Sequence, residues 1–291
     1  MADGKSGGSV ATDSIPVTNR DAGMENLTET VVVTSSSSQD PREEYKMDHK
    51  RRGLALIFNQ EHFDSVTLKS RAGTQADGRN LEKSLRDLNF DVEIYDDCTK
   101  SDVEEKIREA ANADHSDADC FVLVFLSHGE DDYIHASDDK ISVKDITSPF
   151  KGDKCKSLIG KPKIFILQAC RGGIADDPVT PCGGESDSEI EANESAIYTL
   201  PAGADFIMCY SVAEGYYSFR NIAMGSWYIQ DLCEMLQKHG TSLEFTDLLT
   251  LVNRMVSKRS ANCDNEDLKG KKQIPCFASM LTKQLTFKPK K

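Results

Sequence analysis

No stretch of this sequence approaches the length of a membrane-spanning helix, about twenty apolar residues. No apolar run follows a basic start, as a secretory leader would require. Nine cysteines, an odd number, contain no Cys-x-x-Cys pair, so neither a disulfide framework nor a zinc ribbon is expected; a reducing cytosol suits them. The first apolar run leads into Asn59-Gln60-Glu61 rather than a glycine-rich turn, and Gly160-Lys161 lacks P-loop spacing, which argues against a nucleotide site. No metal-ligating constellation is visible, and neither metal nor cofactor is expected. Cationic side chains are the minority, 35 against 48 acids for a formal net charge of −13, which disfavours nucleic-acid binding. A site for acidic substrates would need local arginines to override that field.

What is present is enough chain, 291 residues, for a full core. Residues 1–44 are rich in Ser, Thr, Gly and Asp without a sustained apolar period, and read as a disordered N-terminal segment, either a tail or a removable propeptide. The basic run His49-Lys-Arg-Arg52 reads as a solvated flank, with nuclear targeting a weaker alternative. Leu54 to Phe58 is a first strand. Leu81, Leu85 and Leu88 fall at helical spacing, Phe90 to Tyr95 alternates like a strand, and a helix is predicted from Asp102 to about Ala113. This β-α-β-α-β order implies a mainly parallel sheet flanked by helices. Beyond Gly172 the pattern fails for over twenty residues; Ile174 to Glu194 is acidic and carries Pro178, Pro181, Gly183 and Gly184. A strand over Phe206 to Tyr210, two amphipathic helices, a last strand near Cys276 to Leu281 and a solvated Lys-rich end complete the reading.

Two buried strands end in chemistry. Lys163-Ile-Phe-Ile-Leu-Gln-Ala-Cys-Arg-Gly172 brings a thiol, Cys170, to the C-terminal edge of the sheet, where ligands bind in open α/β folds. Phe121-Val-Leu-Val-Phe-Leu126 ends in Ser127-His128-Gly129. A lone core cysteine is more often inert packing, and the other five histidines (His49, His62, His115, His135, His239) read as satisfied or solvated. A thiol beside an imidazole is different, because the thiolate is the nucleophile and needs a base or ion-pair partner.

Gln168-Ala-Cys-Arg-Gly172, with Ser127-His128-Gly129 lying 42 positions before the cysteine, resembles the caspase signature. Similarity runs from about Tyr45 to the C-terminus through Gly53 to Phe58, Arg71 to Thr74, Ala204 to Phe206, Gly225 to Trp227 and Gln273 to Cys276. The text is nearest the caspase-six branch of the executioner caspases. The resemblance implies a three-layer α/β/α fold on a mainly parallel six-stranded sheet that dimerises through its edge. It also implies a cysteine endopeptidase of programmed cell death, cutting after aspartate and made as a zymogen. Cys170 would attack the carbonyl, His128 would protonate the departing amine and then activate water, and the N–H groups of Gly129 and Cys170 would hold the oxyanion. The pocket for aspartate would be Arg71, Gln168 and Arg220, a donor-rich cage for a short carboxylate. Tyr217, Phe219, Asn221 and Trp227 match the neighbouring pockets. Phe219 is neither the tryptophan nor the histidine of the two common family solutions, so preference at the fourth position stays open.

Division into 45–187 and 188–291 is expected, with residues 173–195 as linker. The cut would follow Asp187, which precedes Ser188, whereas Asp177 precedes a proline; Asp13 and Asp21 are weaker N-terminal candidates. Protein substrates and a second copy of the chain are the expected partners, with no nucleic acid and no membrane. The expected compartment is the cytoplasm, with the nucleus left open. A catalytically inactive scaffold is the competing reading, and intact Cys170, His128 and Gly129 speak against it.

Overall fold

The computed structural model describes residues 43–130, 132–171, 203–214, 216–262 and 267–290. Asp13, Asp21, Asp187 and nearly all of the linker lie outside the described residues.

In chain order the elements are β1 (Leu54–Asn59), α1 (Thr74–Asp87), β2 (Asp91–Asp96), α2 (Lys100–Asn112), β3 (Phe121–Leu126), β4 (Gly129–Glu130), β5 (Tyr133–His135) and β6 (Lys140–Ser142). They continue with α3 (Val143–Thr147), β7 (Lys163–Gln168), β8 (Phe206–Tyr210), β9 (Arg220–Asn221), β10 (Gly225–Ser226), α4 (Trp227–His239), α5 (Phe245–Lys258) and β11 (Cys276–Ser279). Six strands form one sheet in the order β11-β8-β7-β3-β1-β2. Every pairing is parallel except that of β11 with β8.

The apolar runs of β3 and β7 become strands because both faces of the sheet are covered. In β3, Val122, Val124 and Leu126 pack under α1, α4 and α5, while Phe121, Leu123 and Phe125 pack on the side of α2 and α3. The same alternation divides Ile164 and Ile166 of β7 from Phe165 and Leu167. Each such side chain contributes about 1.5–3 kcal/mol by leaving water. Thr99 caps α2, its hydroxyl accepting from the Asp102 N–H while the Asp102 carboxylate accepts from the Thr99 N–H, a reciprocal box that fixes where this helix starts.

Two expectations fail, for one reason. Arg52 is not part of a solvated flank: it is 1 % exposed and pairs with the buried Asp119 at 2.8 Å. The Lys-rich end is not a loose tail either, for Phe287 is buried against Phe90 and Phe245, and Lys290 reaches Asp119. A single buried carboxylate draws both basic segments inward. Just before that end, the backbone around Gln284 bonds to Glu43 and Tyr45, so the last described residues lie along the first.

Candidate active site

Strands β3 and β7 are neighbours, with Leu126 registered against Gln168. The Ser127 N–H donates to the Gln168 carbonyl at 3.1 Å, so Ser127-His128-Gly129 and Ala169-Cys170 leave the sheet side by side at its C-terminal edge. Contact is closest at Gly129. A Cβ there would lie 2.8 Å from the Ala169 Cβ and 2.9 Å from the Cys170 carbonyl oxygen, so only hydrogen fits.

His128 is oriented by groups that carried no sequence signal. Its Nε2 lies 2.7 Å from the Lys69 carbonyl oxygen, and its ring packs on Phe63 at 5.0 Å between centroids. A carbonyl only accepts, so Nε2 holds the hydrogen and Nδ1 is left as the basic nitrogen. Burial pushes the imidazole below its ordinary range; the Lys69 bond opposes that, and Arg71 and Arg220 add to it. Burial thus favours the neutral imidazole. The acid limb of kcat/KM, which reports the free enzyme's essential base, is expected below the ordinary histidine value of about 6.5. A pH profile on a peptide substrate checks this, and a limb above that value would contradict it.

The cationic half of the site comes from the loop before α1, which carries Arg71, and from the short strand β9, which begins at Arg220. Arg71 is 1 % exposed, its Nη1 donating to the Gln60 carbonyl at 3.0 Å and to the Thr74 hydroxyl at 2.8 Å. Thr74 in turn donates to Asn59 at the end of β1, which explains why the arginine needs a threonine three residues on. The second nitrogen, Nη2, is buried without a partner. Burial, then Arg220, pushes the Arg71 guanidinium down to about 9, still charged at neutral pH. Arg220 is lowered by burial as well, and its Nε donates to the Ala72 carbonyl at 3.1 Å. A negative charge on the Cys170 sulfur would favour the charged form of both arginines.

Gln168 donates through Nε2 to the Ser218 hydroxyl at 2.7 Å, and its buried Oε1 lacks a partner. Half a turn of this amide would present Nε2 to a carboxylate while Ser218 donates to Oε1. Arg71 and Gln168 thus each bury a polar atom without a partner, and a carboxylate could accept from the first directly and from the second once its amide turns. Arg79, which no local pattern separates from Arg71, is exposed.

The remaining expected residues lie in and beside the β9–β10 hairpin that carries Arg220. Phe219 stacks on Trp227 at 4.8 Å, and its N–H donates to the buried Gln273. Tyr217 is exposed. The Asn221 side chain is turned onto its own loop, accepting the N–H groups of Ala223 and Met224. Ser218, Gln273, Phe63 and the Lys69 carbonyl are the contributors that sequence reasoning missed; of these only Gln273 lies inside a motif that the reading had marked.

Comparison with known proteins identifies the family. Residues 52–286 match the family described as Caspase domain. The chain is 56 % identical to Caspase-6 of Gallus gallus over 97 % of its length and 96 % of that protein. It is 45 % identical to Caspase drICE of Drosophila melanogaster over 85 % of this chain and 73 % of the other. Among solved structures, Caspase-1 from Spodoptera frugiperda superposes with a TM-score of 0.78 at 39 % identity, covering 86 % of this chain and 94 % of that one.

Proposed function

The chain belongs to the caspase family, and from that premise we propose that Cys170 and His128 are the dyad, and Arg71, Gln168 and Arg220 the aspartate pocket, of its peptidase activity. It is a cysteine endopeptidase that cleaves after aspartate and acts in apoptosis, in a family whose members are typically made as zymogens. The observation that carries the residue assignment is the buried, unpartnered Nη2 of Arg71, a guanidinium near enough to Arg220 to feel its charge. A substrate carboxylate would satisfy that nitrogen and offset the positive charge of the two arginines.

In the reaction so assigned, His128 takes the Cys170 thiol proton at Nδ1 as the sulfur attacks the carbonyl, the N–H groups of Gly129 and Cys170 hold the oxyanion, and the same proton passes to the departing amine as the C–N bond breaks. Water activated by His128 then releases the acyl group. The fourth pocket reads as apolar, because Asn221 is committed to its own loop while Phe219 and Trp227 stack on each other.

We place the cut that separates 45–187 from 188–291 after Asp187, and two such units in a homodimer. β11 supports the second point, since among the described residues it pairs only with β8 and leaves an open edge, a feature that natural sheets cover. The seven described cysteines are all free thiols, which suits a cytosolic protein; among the described residues no helix is long and apolar enough to cross a membrane.

One experiment tests the whole reading. Purified wild type and Cys170→Ala are incubated, sequenced from their termini, sedimented at micromolar concentration and assayed on peptides ending in Asp, Glu, Asn and Lys. Expected are a new N-terminus at Ser188 in wild type alone, about twice the chain mass for both, as a C2 pair requires, and turnover confined to Asp. Equal rates on Asp and Asn would overturn the pocket, and processing that survives Asp187→Ala would move the cut.

A further inference from the structure

Asp77 lies in the first turn of α1 and belongs to none of the motifs considered so far. It is 0 % exposed, yet it is a carboxylate. Its Oδ1 accepts the Ser226 N–H at 2.7 Å and its Oδ2 accepts the Ser226 hydroxyl at 2.6 Å. Burial raises the Asp77 carboxyl, while these two bonds and the charges of Arg71 and Arg220 act against that rise. A charge kept in such a place at a desolvation cost needs a use.

Its partners supply one. Ser226 belongs to β10, which pairs antiparallel with β9 so that Ser226 stands opposite Arg220. The neighbouring Gly225 has φ +92, and a Cβ on it would fall 2.1 Å from the Asp77 Oδ1, so any larger residue would break the contact. At the other strand of the hairpin the Arg220 Nε reaches the Ala72 carbonyl. Residues 72–77 thus hold the β9–β10 hairpin twice, once by the guanidinium and once by the strand opposite it. Arg71 is the residue just before this segment.

We propose that Asp77 is the positioning residue of the aspartate pocket: by gripping both donors of Ser226 it fixes the β9–β10 hairpin so that Arg220 stands at Arg71. This rests on the pocket assignment made above. Asp77 comes from the 45–187 part of the chain and Ser226 from the 188–291 part, so the grip spans the proposed cut. A plain electrostatic role predicts the opposite sign. A negative charge near the two arginines repels an incoming carboxylate, and its removal would tighten substrate binding.

The test uses the full-length, self-processed enzyme with Ser226→Ala, which keeps the charge and removes one bond, and Asp77→Ala, which removes both. Expected is a rise in KM for a peptide ending in Asp of about 3-fold for Ser226→Ala and about 10-fold or more for Asp77→Ala, with kcat changed less than KM. The rate of Cys170 alkylation by iodoacetamide, which needs no aspartate pocket, stays at the wild-type value. In an Arg220→Lys background Asp77→Ala changes kcat/KM by less than about 3-fold, because the group it positions has already been replaced. Unchanged or lowered KM in Ser226→Ala, or effects that multiply fully with Arg220→Lys, would overturn the proposal. Ser226→Ala carries the test even if Asp77→Ala does not fold. Failure of the pocket assignment looks different: wild type itself would then fail to prefer Asp over Asn.

Discussion

Replacing Arg71 with methionine is expected to abolish most of the activity while leaving the fold as stable as before, or more so. Loss of one partner from a buried, hydrogen-bonded charge pair costs 2–5 kcal/mol, which lowers kcat/KM on a peptide ending in aspartate by roughly 30- to 5000-fold. Stability should move the other way. Among the described residues no carboxylate lies within ion-pair distance of Arg71, its Nη2 has no partner, and burial holds its charge at a cost. A flexible apolar side chain of similar length relieves that cost, and substitutions of buried charge by apolar groups are often neutral or stabilising. The Gln60 carbonyl and the Thr74 hydroxyl lose a donor, which limits the gain. Peptide kinetics and urea unfolding on the same preparation decide it. Activity within threefold of wild type would remove Arg71 from the pocket, and a large fall in the urea midpoint would show that the guanidinium is structural.

Gly129→Ala is expected to lower kcat by about 100- to 1000-fold, the usual effect of losing one oxyanion donor, with KM little changed. A Cβ on Gly129 meets the Ala169 Cβ at 2.8 Å, the Cys170 carbonyl oxygen at 2.9 Å and the Tyr133 carbonyl oxygen at 3.1 Å. Two of these three are backbone atoms and cannot rotate away, so β4 must shift from Cys170 and carry the Gly129 N–H with it. Ala169→Gly in the same chain removes only the first contact and should restore little. Steady-state kinetics with iodoacetamide labelling as a control for the thiol separates this from unfolding. A variant with wild-type kcat would show that the Gly129 N–H does not meet the oxyanion.

The sheet was legible in the sequence where burial on both faces left a plain mark. The runs at Phe121–Leu126 and Lys163–Gln168 became β3 and β7, and the thiol and imidazole after them follow from the strands' common edge. Strands β4, β5, β6, β9 and β10, of two or three residues each, were not foreseen, because a pairing that short has no periodicity to detect. Arg71 and Arg79 looked alike for a related reason: what separates them is Thr74 on Asn59 and the carbonyl of Gln60, contacts made by folding. Arg52 was misread as solvated because its partner, Asp119, lies far along the chain. The Lys69 carbonyl had no signature at all, since every residue carries one.

The passage of the last described residues along the first gives the proposed cut a kinetic meaning. Strand β8 is hydrogen-bonded to β7 within the sheet, Phe287 is wedged between Phe90 and Phe245, and the backbone at Gln284 joins Glu43 and Tyr45. A small piece released by cleavage after Asp187 would leave only by breaking the sheet and the core together. Trading pieces between enzyme molecules, for instance isotopically heavy for light, would run no faster than global unfolding, so a nicked molecule keeps its original half for its working life.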